Sequence, residues 1–383
     1  MTEQGQPEPP EPPPIGSQPN EEPATEPADA EPTPAEQQAT EQPSPFATLS
    51  TQPRSVLGAS LDLVTRASRD LRAASLYIGL VLLGTAGPFA LLLWGSAEVG
   101  VFERSFLPDD NSTSLQTWVA ITGFLAFLGL IVISIESRGL ATALLGARLQ
   151  NRPITVRDAV RRSRMAFWRL IGVTIVVNGP LLIIQSLVGD RLAETFHGRS
   201  ELSEVTATLI AAIVGTPFAY VTAGIVLGDV SAIEAARRSI RLFSARRRSA
   251  LVVSIIGVAT QFITLAGVGA AVEVAAKAFT ALGLGPDSGT VGVAVITVVV
   301  IAAVFALGSL SFTVAALALA PEVVMFVALT HAAPGLEWVR PPAEPPYPGY
   351  VWQPAFRWLT RPLLATIAIG GVALVLGLAS LSR

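Results

Sequence analysis

The sequence predicts an all-α fold. It reads as a polytopic transmembrane helix bundle built from repeated units, each a cytoplasmic amphipathic helix plus two spans, with about seven spans behind a disordered N-terminal tail. Three observations predict it. The 383 residues are 51% hydrophobic and only 14% charged, with a mean hydropathy of +0.54, outside the balance of a soluble domain. Apolar runs of spanning length recur along the chain. A basic stretch between two of these runs is a second copy of an earlier one.

Residues 1–53 form the first segment, a disordered, acidic, Pro-rich cytoplasmic tail. It holds fourteen prolines and ten carboxylates with no basic residue, and almost no large apolar side chain precedes Phe46. Such a composition cannot bury enough surface to offset chain entropy. No basic start followed by a short apolar core lies near Met1, so a cleaved signal peptide is not expected.

A helix needs roughly 20 apolar residues to cross about 30 Å of hydrocarbon. Residues 76–94, 118–135, 170–188, 205–227, 250–272 and 363–381 satisfy this plainly. A further run, 291–329, contains Gly308, Pro321 and Glu322 and is either one long kinked helix or two spans. All six tryptophans flank these runs, as interfacial aromatic residues do. The membrane domain thus covers 54–331, followed by a Pro/aromatic interfacial segment at 332–361 and a C-terminal span within 362–383.

Residues 136–169 hold eight arginines against two carboxylates, and 229–250 hold six against two, whereas the loops at 95–117, 189–204 and 273–289 are net acidic. The basic loops should face the cytoplasm. The amino terminus is then cytoplasmic, and a bacterial plasma membrane is the expected location.

Setting ITVRDAVRRSRMAFW from Ile154 beside VSAIEAARRSIRLFS from Val230 reveals the repeat. Thr155 aligns with Ser231, Asp158 with Glu234, Ala159 with Ala235, and Arg161, Arg162 and Ser163 with Arg237, Arg238 and Ser239. Each copy opens with Ser or Thr three residues before an acid, the capping box of a helix start. Ile233, Ala236, Ile240 and Phe243 share one helical face, with Glu234, Arg237, Arg238 and Arg241 on another. In the first copy Val156, Val160 and Phe167 oppose Arg157, Arg161 and Arg164. A third, weaker copy begins at Ser55, with Ala59 at the alanine position. Both clear copies lie on the same side, so the repeats are parallel rather than inverted.

The two motifs AVRRS and AARRS, each leading into a span, resemble the membrane domain found beside glycerophosphoryl diester phosphodiesterases and its stand-alone relatives of unknown function. The resemblance covers about 55–329. In the enzymes that carry this domain, hydrolysis belongs to a separate soluble barrel with histidine and carboxylate metal chemistry. The resemblance therefore implies the membrane part and not that activity, since this chain has two histidines, His197 and His331, and no such barrel.

Clustered His or Cys, a phosphate loop and a nucleophile elbow are all missing, and the chain has no cysteine. No cofactor is expected, and no enzyme. Candidate anionic-lipid contacts are Arg157, Arg161, Arg162, Arg237, Arg238 and Arg241, each worth on the order of 1 kcal/mol near an anionic surface. The candidate intramembrane polar site is Glu322, beside Pro321, with Asn178 and Thr216 at the breaks of the third and fourth spans. Glu136 and Arg138 are expected to pair at the interface, Gln185 and Gln261 to bond between helices, and Gly224 with Gly228 to admit a close helix contact.

Two function classes follow. One is a non-enzymatic integral membrane protein, a lipid-associated scaffold or accessory module whose partners are anionic headgroups and an unidentified membrane or cytoplasmic protein, with no nucleic acid. The other is a transporter or channel for a small solute or ion, using Glu322 and the broken spans.

Overall fold

The computed structural model describes residues 53–85, 112–195, 200–281 and 289–332, together with 355–356, 360, 363–365, 367 and 369. Expectations for the acidic tail, the end of the first run, residues 95–111, 196–199 and 282–288 of the outer loops, and most of 332–383 lie outside the described residues, while the rest of those loops continues the flanking helices.

Ten α-helices and no strand occur among the described residues. They are α1 (Pro53–Arg66), α2 (Ser68–Thr85), α3 (Ser112–Leu149), α4 (Val156–Val173), α5 (Gly179–Thr195), α6 (Ser200–Gly215), α7 (Val221–Gly228), α8 (Ala232–Ala245), α9 (Arg247–Ala281) and α10 (Gly289–Ala332). Four helical stretches are long and apolar enough to cross a membrane: Ala120–Leu149, Val156–Leu192, Val205–Gly228 and Ile301–His331. The second and third each join two helices through a non-α turn.

Both joins have a local cause. Pro180 has no amide to donate and its ring presses on the carbonyl one turn back, so Thr174–Asn178 widens into a π-helical turn before α5 resumes. Pro217 acts likewise: Thr216–Phe218 tightens to 3-10 geometry, and α7 starts afresh at Val221. The amphipathic helix α4 therefore does not end before its span but runs into it, because nothing between Val156 and Val173 breaks a helix. The ambiguous run 291–329 lies within one helix, α10, with Pro321 inside it.

The capping boxes form. Thr155 Oγ1 accepts from the Asp158 amide at 3.2 Å and Ser231 Oγ from the Glu234 amide at 3.3 Å. Asn151 and Asp229, each just before a capped helix, take positive φ of 54° and 48°, conformations that Asn and Asp tolerate better than most side chains.

The core is built around α10, which packs on α2, α3, α9 and α1. Its crossing with α2 is a backbone contact: a Cβ on Gly308 would stand 3.0 Å from Gly79 Cα, and one on Gly79 would stand 2.8 Å from the Phe305 carbonyl. Small residues allow that approach. Gly139 meets Ser163 across α3 and α4, and Gly146 meets Leu227 across α3 and α7, so α3 is the wall shared by α4 and α7.

Candidate functional site

Where α2, α3 and α4 meet, three polar side chains are buried together. Glu136 is 1% exposed and Arg164 8%. Arg164 Nε donates to Glu136 Oε1 at 3.0 Å, Tyr77 OH donates to the same oxygen at 2.7 Å, and Arg164 Nη2 donates to the Tyr77 oxygen at 2.8 Å. A buried charge must be paired and hydrogen-bonded to be tolerated, and this triangle does both. Ser163 Oγ adds a bond to the Glu136 carbonyl at 3.1 Å. The expected Glu136–Arg138 pair is corrected here: residues two apart on a helix do not face each other, and Arg138 is exposed while Glu136 turns inward.

The third donor of Arg164 reaches far along the chain. Its Nη1 donates to the Phe356 carbonyl at 3.0 Å, and the Ala355 amide donates to the Arg164 carbonyl at 3.0 Å. The Phe356 ring stands edge-on to Phe167, centroids 4.9 Å apart, and 6.2 Å from Trp168. Phe356 holds φ 51°, a costly backbone for a bulky side chain, fixed by these contacts. Part of the Pro/aromatic segment is thus seated on the chain's own α4.

A second cluster surrounds α7. Its first amides have no partner within the helix, and Glu322 Oε1 of α10 accepts from the Ala223 amide at 2.9 Å. At its other end Arg162 Nε and Nη2 donate to the Val226 and Leu227 carbonyls at 2.8 and 3.2 Å. Arg169 pairs with Asp229 at 2.7 Å and donates to the Val230 carbonyl at 3.0 Å. An acid at the amino end and arginines at the carboxyl end match the helix dipole. Both sets come from neighbouring helices.

The candidate intramembrane residues do not form one group of contacts. Glu322 caps α7, whereas Thr216 Oγ1 bonds back to the Ala212 carbonyl of its own turn at 3.0 Å. The side chain of Asn178 lies outside the described residues, as does that of Gln261. Gln185 Nε2 does bond between helices, to Thr208 Oγ1 at 2.8 Å. Gly224 admits a close contact, since a Cβ there would meet Ala235 Cβ at 3.4 Å, while Gly228 stands more openly beside Arg238.

The basic residues divide by direction. Arg157, Arg161, Arg237 and Arg241 are exposed. Arg162 is turned into the α7 cap, which corrects its assignment as a lipid contact, because its donors face helix carbonyls. Arg238 is half-buried and pairs with Glu234 at 3.0 Å. On α8, Ala235, Ser239 and Leu242 form the packed face, leaving Ile233 and Ile240 exposed beside the arginines. Ser239 is the anchor: its hydroxyl donates to the Pro217 carbonyl at 2.7 Å and accepts from the Tyr220 amide at 3.1 Å. The sequence reading missed Arg164 and Arg169 as packing residues. Compared with known proteins, the chain matches no family model, no curated protein and no solved structure.

Proposed function

We propose that this chain is a non-enzymatic integral membrane protein, a scaffold or accessory module that gathers anionic lipid at the inner face of a bacterial plasma membrane. The reading rests on one observation above others. Arg157, Arg161, Arg237 and Arg241 remain exposed on α4 and α8, next to exposed Trp168, Ile233 and Ile240, although neighbouring arginines are drawn into packing. Apolar side chains inserted beside arginines at phosphate level are what an anionic interface binds. In this reading α4 and α8 are parallel copies of one unit within about seven spans, the amino terminus is cytoplasmic, and the acidic tail is a solvated spacer. A partner protein, of membrane or cytoplasm, would approach on that face. The AVRRS and AARRS motifs support kinship with the stand-alone membrane domains named above.

The test is the lipid retained by the full chain from mixed phosphatidylglycerol and phosphatidylethanolamine membranes. Enrichment of phosphatidylglycerol should fall to the bulk ratio when Arg157, Arg161, Arg237 and Arg241 become glutamine. An unchanged ratio would remove the proposal.

The alternative is transport of a small solute or ion. It is favoured by the departures from α geometry at Thr174–Asn178 and Thr216–Phe218 in two adjacent spans. Against it, the Glu322 carboxylate already accepts a helix amide. Solute flux in proteoliposomes that vanished in Glu322→Gln would establish the alternative.

A further inference from the structure

A cavity of about 360 Å³ lies between α1, α9 and α10. Its walls are Leu57, Leu61 and Val64 from α1, Ile256 and Ile263 from α9, and Leu310, Leu317 and Pro321 from α10. That volume is within the range of about 300–1,000 Å³ of sites that hold small molecules. Two hydroxyls reach the lining, and both are already bonded to their own helices: Ser60 Oγ donates to the Val56 carbonyl at 2.6 Å and Thr260 Oγ1 to the Ile256 carbonyl at 2.7 Å. A polar solute entering there would lose water without finding partners. Water itself needs two or more polar contacts, which the described wall residues do not provide. The occupant this lining accepts is a hydrocarbon.

Leu57, Leu61, Ile263 and Leu310 are at once lining residues and exposed ones. The cavity is therefore continuous with the outer apolar surface of α10, whose Ile301–His331 stretch is fit to cross a membrane, and acyl chains are what such a surface meets. Arg69, in the first turn of α2 directly after α1, is exposed and brings positive charge suited to a lipid phosphate near the end of α1. We propose that this cavity is a binding site for one acyl chain of a membrane phospholipid, held between the amphipathic helix α1 and the two long helices α9 and α10. The site is separate from the exposed arginines of α4 and α8, and it does not depend on their enriching anionic lipid.

The chain offers a way to fill the site. A Cβ built on Gly267, in the lining, meets nothing within 4 Å, and the same holds for Gly257, which is not in the lining. Gly267→Phe should fill the cavity without displacing backbone, and either substitution removes a helix-weakening glycine. The full chain is reconstituted in vesicles containing phosphatidylglycerol with a diazirine in one acyl chain, irradiated, and the adducts mapped by peptide mass spectrometry. Adducts should concentrate on 256–267 and 310–321. Their yield should fall about tenfold in Gly267→Phe and stay level in Gly257→Phe. Both variants should retain the far-ultraviolet circular dichroism of the parent, and a Val314→Leu variant, a smaller filling of the same lining, should show an intermediate loss. Adducts spread evenly over the apolar surface, or a yield indifferent to Gly267→Phe, would overturn the proposal. So would radioactive or cross-linked evidence that residues 366–383, or a second copy of the chain, occupy the cavity.

Discussion

Two tyrosines allow the buried polar chemistry to be tested by the same deletion of one oxygen. Tyr77 donates to Glu136 and accepts from Arg164, whereas the Tyr220 hydroxyl is buried with no hydrogen-bond partner among the described residues. Neutral bonds between membrane helices average about 0.6 kcal/mol, but bonds to a charged group are worth about 1.5–3 kcal/mol. Tyr77→Phe keeps the ring and loses two such contacts, so it should cost about 1.5–3 kcal/mol. Tyr220→Phe loses no bond and relieves an unmet desolvation, so it should be neutral or stabilise by up to about 1–2 kcal/mol. The difference between the variants, about 1.5 kcal/mol or more, lies above the roughly 0.5 kcal/mol spread of ordinary surface changes. The assay is unfolding in bicelles by increasing mole fraction of dodecyl sulfate, followed by tryptophan fluorescence and circular dichroism. In a Glu136→Gln background the Tyr77→Phe cost should drop, because one of its two bonds to a charged group is then to a neutral acceptor while that from Arg164 remains. Equal shifts for the two tyrosines, or no coupling between Tyr77 and Glu136, would refute the buried triangle.

Three further outcomes follow from the same contacts. Glu322→Leu leaves the buried Ala223 amide without its acceptor and should cost about 1–3 kcal/mol, while Glu322→Gln keeps a carbonyl and should cost less than half as much in the same unfolding assay. Asp229→Gly relieves a positive φ but leaves the buried Arg169 uncompensated, so a net loss of about 2–4 kcal/mol is expected, with Asp229→Asn intermediate. Gly79→Leu drives a side chain into α10 at Phe305 and Ser309 and should destabilise by about 3 kcal/mol or more, measurable as weakened protease resistance of the membrane-reconstituted chain.

Length and hydropathy located helices well because a span must satisfy its own backbone, which leaves a strong local signature. The same is true of the caps at Thr155 and Ser231, which involve residues only three apart. The partners of charges were not legible in that way. Glu136 reaches Arg164, 28 residues on, across a helix crossing that no local pattern encodes. The repeat offers only a partial signal. Where α4 has Arg164 and Arg169, the aligned positions of α8 are Ile240 and Ala245. Lacking a counterpart does not by itself mark burial, since Arg157, aligned with Ile233, and Arg241, aligned with Met165, are exposed. Arg161 and Arg237, which do align, are both exposed. Arg162 and Arg238 also align but differ in use, since only Arg162 has the free carbonyl end of α7 in front of it.

The breaks that resemble a permeation path have a simpler relation to one another. Pro217 interrupts the third apolar stretch, and by doing so it creates a helix start at Val221 whose amides would be left unmet in a hydrocarbon surrounding. Glu322, next to the buried Pro321, answers one of those amides. Arg162 answers the Val226 and Leu227 carbonyls at the other end of α7, and Arg169 with Asp229 closes the turn beyond. The acid and the two arginines are thus consequences of the break, each placed where the short helix α7 carries opposite partial charge. An ion bound at Glu322 would have to compete with the amide end of that helix, which favours an anion and repels a cation. The same geometry that makes Glu322 the most suggestive residue in the sequence makes it a poor cation ligand.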